Sequence, residues 1–151
     1  MSGFEPSWLL DVNVLVALID EQHGFHRRAA QWRAAASSAE PSAAWSLAPF
    51  TEAGFVRVVT NPRYPNPFSV AEALEVLALL AAQKGYAFCA VTESLTTLAQ
   101  PFVERLFGHQ QITDACLLGL AIRGGRVLVT FDKGLRTLAG PAHARHVHVL
   151  E

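Results

Sequence analysis

Basic excess is the first thing this sequence lacks. Over 151 residues, 12 Lys and Arg stand against 13 Asp and Glu, a formal net charge of -1. That excludes a protein that grips nucleic acid by bulk charge, though not one that uses a local patch. Cysteine is nearly absent. Cys89 and Cys116 both sit in apolar runs, so no secreted disulfide framework is expected. Long apolar runs are missing too. The stretch from Val14 to Ile19 falls far short of the ~18 residues a membrane span needs. The opening Met-Ser-Gly-Phe-Glu-Pro has no positive region, so no signal peptide and a cytoplasmic location are expected. Charge of either sign is sparse, at 17% of residues against ~25% in typical domains. Mean hydropathy is +0.24. This apolar surplus predicts a homodimer or protein-partner surface.

What is present is a single-domain length with strands alternating with helices. Trp8–Leu10 predicts a short buried strand running into Asp11, followed by a helix over Val12–Ile19. Gln22–Ala36 predicts a helix with Phe25, Ala29 and Trp32 on its inner face. An Ala/Ser-rich link covers Ala34–Ala44. Pro49–Thr60 predicts a helix with Pro in its first turn. Three prolines between Pro62 and Pro67 impose a loop. Ser69–Lys84 predicts a capped helix, with Glu72 three residues after Ser69. A strand over Tyr86–Val91, helices over Ser94–Phe107 and Thr113–Arg123, a strand over Arg126–Thr130, a helix over Lys133–Ala139 and a strand over His146–Leu150 complete the chain. The class is α/β, a mainly parallel sheet whose sites form beyond the carboxyl ends of its strands.

That rule picks out the acids. The chain holds four aspartates. Asp11 ends the first strand, and Asp132 lies two residues past Thr130. Asp114 opens a helix, and Glu52 is near the start of another. Each is set among apolar neighbours, where an unpaired carboxylate is costly and needs donors, a base or a cation. Taken singly, each has a plain structural role as a cap, a first-turn charge or a turn residue. Taken jointly, four acids on one sheet edge repel unless a cation joins them. Oxygen-only ligands select Mg²⁺, with Mn²⁺ as a substitute. Zinc would want clustered His or Cys. Of the six histidines, His23, His26, His143, His146 and His148 stand in loop-like or edge contexts, with His146 and His148 read as exposed on one face of the last strand. Asp20 reads as a solvated helix end.

Asp11-x-Asn13 after the first strand, Glu52, Thr113-Asp114-Ala115 and Thr130-Phe131-Asp132 together resemble the PIN domain over essentially the whole chain, residues 1–151. Thr60-Asn61-Pro62-Arg63, and His23-x-x-His26 before Ala29, Ala30 and Trp32, resemble one branch of the VapC toxins of toxin–antitoxin pairs. The resemblance implies a three-layer α/β/α fold and a Mg²⁺-dependent endoribonuclease. It also implies a homodimer and a VapB-type antitoxin that masks the site. Asp11, Glu52, Asp114 and Asp132 match the family's acids, the three aspartates as metal ligands. Asn13 and Thr130 match supporting positions. Val12 stands where Thr is commoner. Candidate RNA contacts are Arg63, Arg57, Arg27 and Arg28, Arg being suited to phosphate forks. Tyr64 and Phe68 are rings an unpaired base could stack on, packing being their plainer role. The alternative is a catalytically silent PIN-like module that binds RNA or protein. A receiver-type phosphoacceptor is excluded, because Tyr86–Val91 ends in Thr92-Glu93 without an Asp.

Overall fold

The structure, a computed structural model, describes residues 7–38 and 44–151. The opening hexapeptide and residues 39–43 of the Ala/Ser-rich link lie outside the described residues. Five strands form one all-parallel sheet: β1 (Ser7–Leu10), β2 (Trp45–Leu47), β3 (Tyr86–Phe88), β4 (Arg126–Thr130) and β5 (Val147–Val149). Their order is β3-β2-β1-β4-β5. The chain therefore builds outward from β1 to one side, then returns to its other side with β4. The crevice beyond the carboxyl ends of β1 and β4 is the switch point of such a sheet.

Among the described residues, seven helices cover it: α1 (Val12–Ile19), α2 (His26–Ser38), α3 (Pro49–Val59), α4 (Val70–Ala81), α5 (Leu95–Ala99), α6 (Ile112–Arg123) and α7 (Gly134–His143). Alternation along the strands assigns two cores. Leu9 and Leu128 pack with Leu98, Phe102, Leu117 and Leu135 from α5 to α7. Leu10 and Val129 pack with Val14, Leu15, Trp32, Phe55 and Leu80 from α1 to α4. Because both faces are covered, the central strands are apolar on both sides, and each fully buried leucine contributes about 1.5–3 kcal/mol. This is the expected three-layer α/β/α arrangement. Gly119 of α6 sits against the Leu98 carbonyl of α5, where any Cβ would collide with the backbone.

The departures from the sequence reading are local. β2 was not anticipated: three residues carry no periodicity, and all three are buried between β1 and β3. The second helix starts at His26, not Gln22, so Phe25 precedes it and is 57% exposed rather than core-facing. The expected helix over Ser94–Phe107 ends at Ala99, because Pro101 has no N–H to continue it. A 3-10 turn over Gln100–Arg105 follows. The Tyr86 strand pairs only to Phe88. The last helix runs past Ala139 to His143 through a kink at Gly140, whose φ of 66° precedes Pro141. His146 is not exposed. It lies buried in a 3-10 turn, its Nδ1–H donating to the Arg126 carbonyl at 2.7 Å, while His148 stays exposed. The capping box of Ser69 and Glu72 forms as expected. No helix among the described residues is long and apolar enough to cross a membrane.

Candidate active site

Asp11 is the first residue after β1 and caps α1, its Oδ1 accepting the Val12 N–H at 2.8 Å. Its backbone N–H still bonds the Val129 carbonyl at 3.0 Å, so the side chain is fixed where β1 and β4 end. Its Oδ2 accepts the Thr130 hydroxyl at 2.7 Å. Thr130 is fully buried, and its Oγ1 also accepts the Asp132 N–H at 3.0 Å. One hydroxyl thus aligns the carboxylate of β1 with the chain leaving β4. Asp132 is exposed and holds its own turn through Oδ1, which accepts the Gly134 N–H at 2.8 Å. Asp114 reaches the same edge from the first turn of α6, which leads into β4.

Electrostatics shows which acids act on one another. Burial raises the Asp11 carboxyl, its two hydrogen bonds lower it, and the charge of Asp132 raises it again. Burial, then Asp11 and Asp132, push the Asp114 carboxyl up to about 7. The three aspartates share one field. Glu52 does not figure in it. It stands in the first turn of α3, located by the buried Thr51 hydroxyl donating to the Leu10 carbonyl at 2.7 Å. Burial raises its carboxyl, and its charge adds to the desolvation that raises the Tyr86 phenol. Asn13 is exposed in the first turn of α1.

Among the described residues, no group of three or more His, Cys, Asp or Glu is close enough to enclose an ion. The three aspartates offer an open set of oxygen donors instead. No basic side chain is among the causes of the Asp11 and Asp114 shifts. Such a set suits a hard divalent cation that keeps several waters, and His or Cys ligands for zinc are absent from it.

The arginines divide. Arg33 lies over the Trp45 ring at 4.3 Å and donates to Gln83 at 2.9 Å, so it is committed to packing. Arg57 is exposed in the last turn of α3, and Arg27 is exposed on α2. Arg63 is exposed in a loop closed by Asn61, whose Oδ1 accepts the Arg63 N–H at 2.9 Å. Two features of the site went unread in the sequence. Asp20 is not a merely solvated helix end: it accepts the Tyr64 hydroxyl, tying that loop to the end of α1, about 12 Å of helix from Asp11. This bond lowers the Asp20 carboxyl, while burial and Asp20 raise the Tyr64 phenol to about 12. Phe68 packs edge-on against Phe55 at 6.3 Å, the plainer role expected of it. The other feature is a stack of Phe25 on Phe131, legible only in that Phe131 stands between two site residues.

Thr130→Val tests the hydroxyl. The shape is kept, but a buried carboxylate loses its donor, a cost of about 1–3 kcal/mol. In a chain of this size the melting temperature should fall by roughly 2–10 °C, and Thr130→Ser should restore it. A valine variant as stable as the parent would remove the hydroxyl from this role.

The family model described as "PIN domain" matches residues 8–141. Ribonuclease VapC38 of Mycobacterium tuberculosis is 46% identical over 132 residues, covering 87% of this chain and 89% of the relative. Ribonuclease VapC44 of the same organism is 38% identical over 143 residues, covering 94% and 98%. Among solved structures, VapBC2 from Rickettsia felis, bound to a DNA fragment from its promoter, superposes with a TM-score of 0.64 at 11% identity. That match covers 96% of this chain and 99% of the other.

Proposed function

Because the chain belongs to the PIN domain family, as a VapC-type ribonuclease, we propose that it is a Mg²⁺-dependent endoribonuclease and the toxin of a toxin–antitoxin pair. The observation that carries the reading is the shared field of Asp11, Asp114 and Asp132 at the switch point of the sheet. Asp11, Asp114 and Asp132 would hold the cation. When bound, Mg²⁺ or Mn²⁺ supplies charge neutralisation at the phosphate and a more acidic water. The chain itself contributes position. Thr130 fixes the Asp11 carboxylate, and Gly134 fixes that of Asp132. Glu52, in the first turn of α3, is the fourth acid of the proposed set, with the role of orienting the attacking water and taking its proton. Asn13 stands beside Asp11 as a polar support.

The proposed partners are an RNA substrate, a VapB-type antitoxin and a second copy of the chain. The Rickettsia felis neighbour is a VapBC assembly, which supports the antitoxin. The apolar surplus supports both protein contacts: Val70 and Leu74 are more than half exposed on α4, as are Leu95, Val103 and Phe107 around α5.

The deciding experiment incubates the purified protein with total RNA in Mg²⁺ and sequences the cut ends. Internal cuts are expected, lost with excess EDTA and restored by Mg²⁺ or Mn²⁺. Intact RNA in Mg²⁺, or full cleavage in EDTA, would sink the proposal. Expression alone should slow growth of a bacterial host, and the neighbouring small gene should relieve it. A monomer by light scattering at micromolar concentration would refute the homodimer.

A further inference from the structure

Phe131 stands between Thr130, which holds the Asp11 carboxylate, and Asp132. On it lies the ring of Phe25, near-parallel at 29° with centroids 5.0 Å apart. The Phe25 side is left 57% exposed. Phe25 thus lies, open to water, against the residue that joins Thr130 to Asp132. Its backbone is also fixed. The Phe25 N–H donates to His23 Nδ1 at 3.0 Å, and its carbonyl accepts the Ala29 N–H at 3.0 Å, so the ring enters α2 at a set angle. The His23 ring lies beside it, at 5.9 Å and 46°.

Arg28 follows Phe25 by less than one turn, and Lys133 follows Asp132. With Arg136 of α7 they converge on the C-terminal strand. A hydrogen bond from Arg136, then the charges of Arg136, Lys133 and Arg28, hold the Glu151 carboxyl below its usual range. Arg28 and Arg136 add to the burial that pushes His148 down. Arg28, Lys133 and Arg136 thus act on one carboxylate near the C-terminal strand, that of Glu151, and Arg136 is already hydrogen-bonded to it at 3.1 Å.

The geometry points to Phe25 as a stacking platform for an unpaired nucleobase next to the cut phosphate. This rests on the ribonuclease reading and adds to it the residue that would hold an unpaired base at the cut. A base in a helix is already stacked on its neighbours and offers no free face. An aromatic ring stacks with any base and selects for the unpaired state more than for sequence. Phe131 backs the platform, and its position between Thr130 and Asp132 sets the distance from stacked base to carboxylates.

The test separates a π-face from mere apolar cover. Phe25→Leu still shields Phe131 but offers no ring, and Phe25→Trp enlarges it. The probe is a short unpaired oligoribonucleotide carrying 2-aminopurine at each position in turn, bound to protein in an Asp114→Asn background so that it stays uncut. Stacking quenches 2-aminopurine. Strong quenching is expected at one position, lost in Phe25→Leu and kept in Phe25→Trp. In the cleaving protein Phe25→Leu should raise KM about tenfold, with a smaller change in kcat, and a fully paired version of the same RNA should be the poorer substrate. Equal quenching and equal KM in Phe25→Leu would overturn the assignment. So would a leucine variant with unchanged RNA behaviour but weakened antitoxin capture, which would make this surface a protein contact. A parent protein that cuts no RNA fails the ribonuclease reading itself, whereas one that cuts and ignores Phe25 fails only this inference.

Discussion

Asp114→Asn is expected to stop RNA cleavage and, in the cation-free protein at pH 8, to raise the melting temperature. Loss of one of three charged groups that share a site should cost at least about a hundredfold in rate. The stability gain follows from the field. Burial, Asp11 and Asp132 hold the folded Asp114 carboxyl at about 7 against an ordinary 3.8. A raised folded value means that the protonated form is favoured in the native state. Its contribution is complete below about pH 4, shrinks as the unfolded chain ionises, and is gone once pH passes 7. Asparagine cannot ionise and keeps it. Since Asp114 is partly open to solvent, the full shift overstates the effect, and about 2 kcal/mol is the reasonable size. That corresponds to roughly 4–8 °C in a chain of this length. The two proteins should melt together at pH 4 and diverge at pH 8. Saturating Mg²⁺ should narrow the gap, because only the parent retains the full ligand set. A folded variant that still cleaves would remove Asp114 from the site. A variant that melts lower at pH 8 would mean that its carboxylate is a structural partner.

The carboxyl edge could be found in the sequence because two independent signals agreed there. Strand ends predicted where a site forms, and carboxylates in apolar surroundings occupied those ends. Asp11, Asp114 and Asp132 needed only element order to be placed together. Glu52 shows the limit. Its place at a helix start was legible, but not that its charge acts on the Tyr86 phenol. β2 failed for a different reason: Trp45-Ser46-Leu47 is held by neighbours on both sides, so tertiary pairing makes a strand that no local pattern announces. Phe25 and Tyr64 failed because helix periodicity and loop composition cannot predict a partner far along the chain. Phe25 finds Phe131, and Tyr64 finds Asp20.

The products of cleavage should carry a 5′-phosphate and a 3′-hydroxyl. If water is the nucleophile at phosphorus and the 3′-oxygen leaves in line, the 2′-hydroxyl takes no part. The rival route pairs two imidazoles across the 2′-hydroxyl and leaves a 2′,3′-cyclic phosphate with a free 5′-hydroxyl, needing no cation. The histidines are poorly placed for it. The Nδ1 of His146 is spent on the Arg126 carbonyl inside a buried turn, and that of His26 on the Ala17 carbonyl at 2.7 Å. His23 accepts the Phe25 N–H, His143 packs edge-on against Phe102 at 6.0 Å, and His148 lies against Trp8 at 5.8 Å. His109 stands in the 3-10 turn before α6. The carboxylates, by contrast, already perturb one another at a single edge. Two measurements separate the routes. A polynucleotide kinase should label fresh fragments only after phosphatase treatment, and a 2′-O-methyl group at the cut position should leave the bond cleavable. Direct labelling of untreated fragments, together with a block by 2′-O-methylation, would transfer the chemistry from Asp11, Glu52, Asp114 and Asp132 to an imidazole pair.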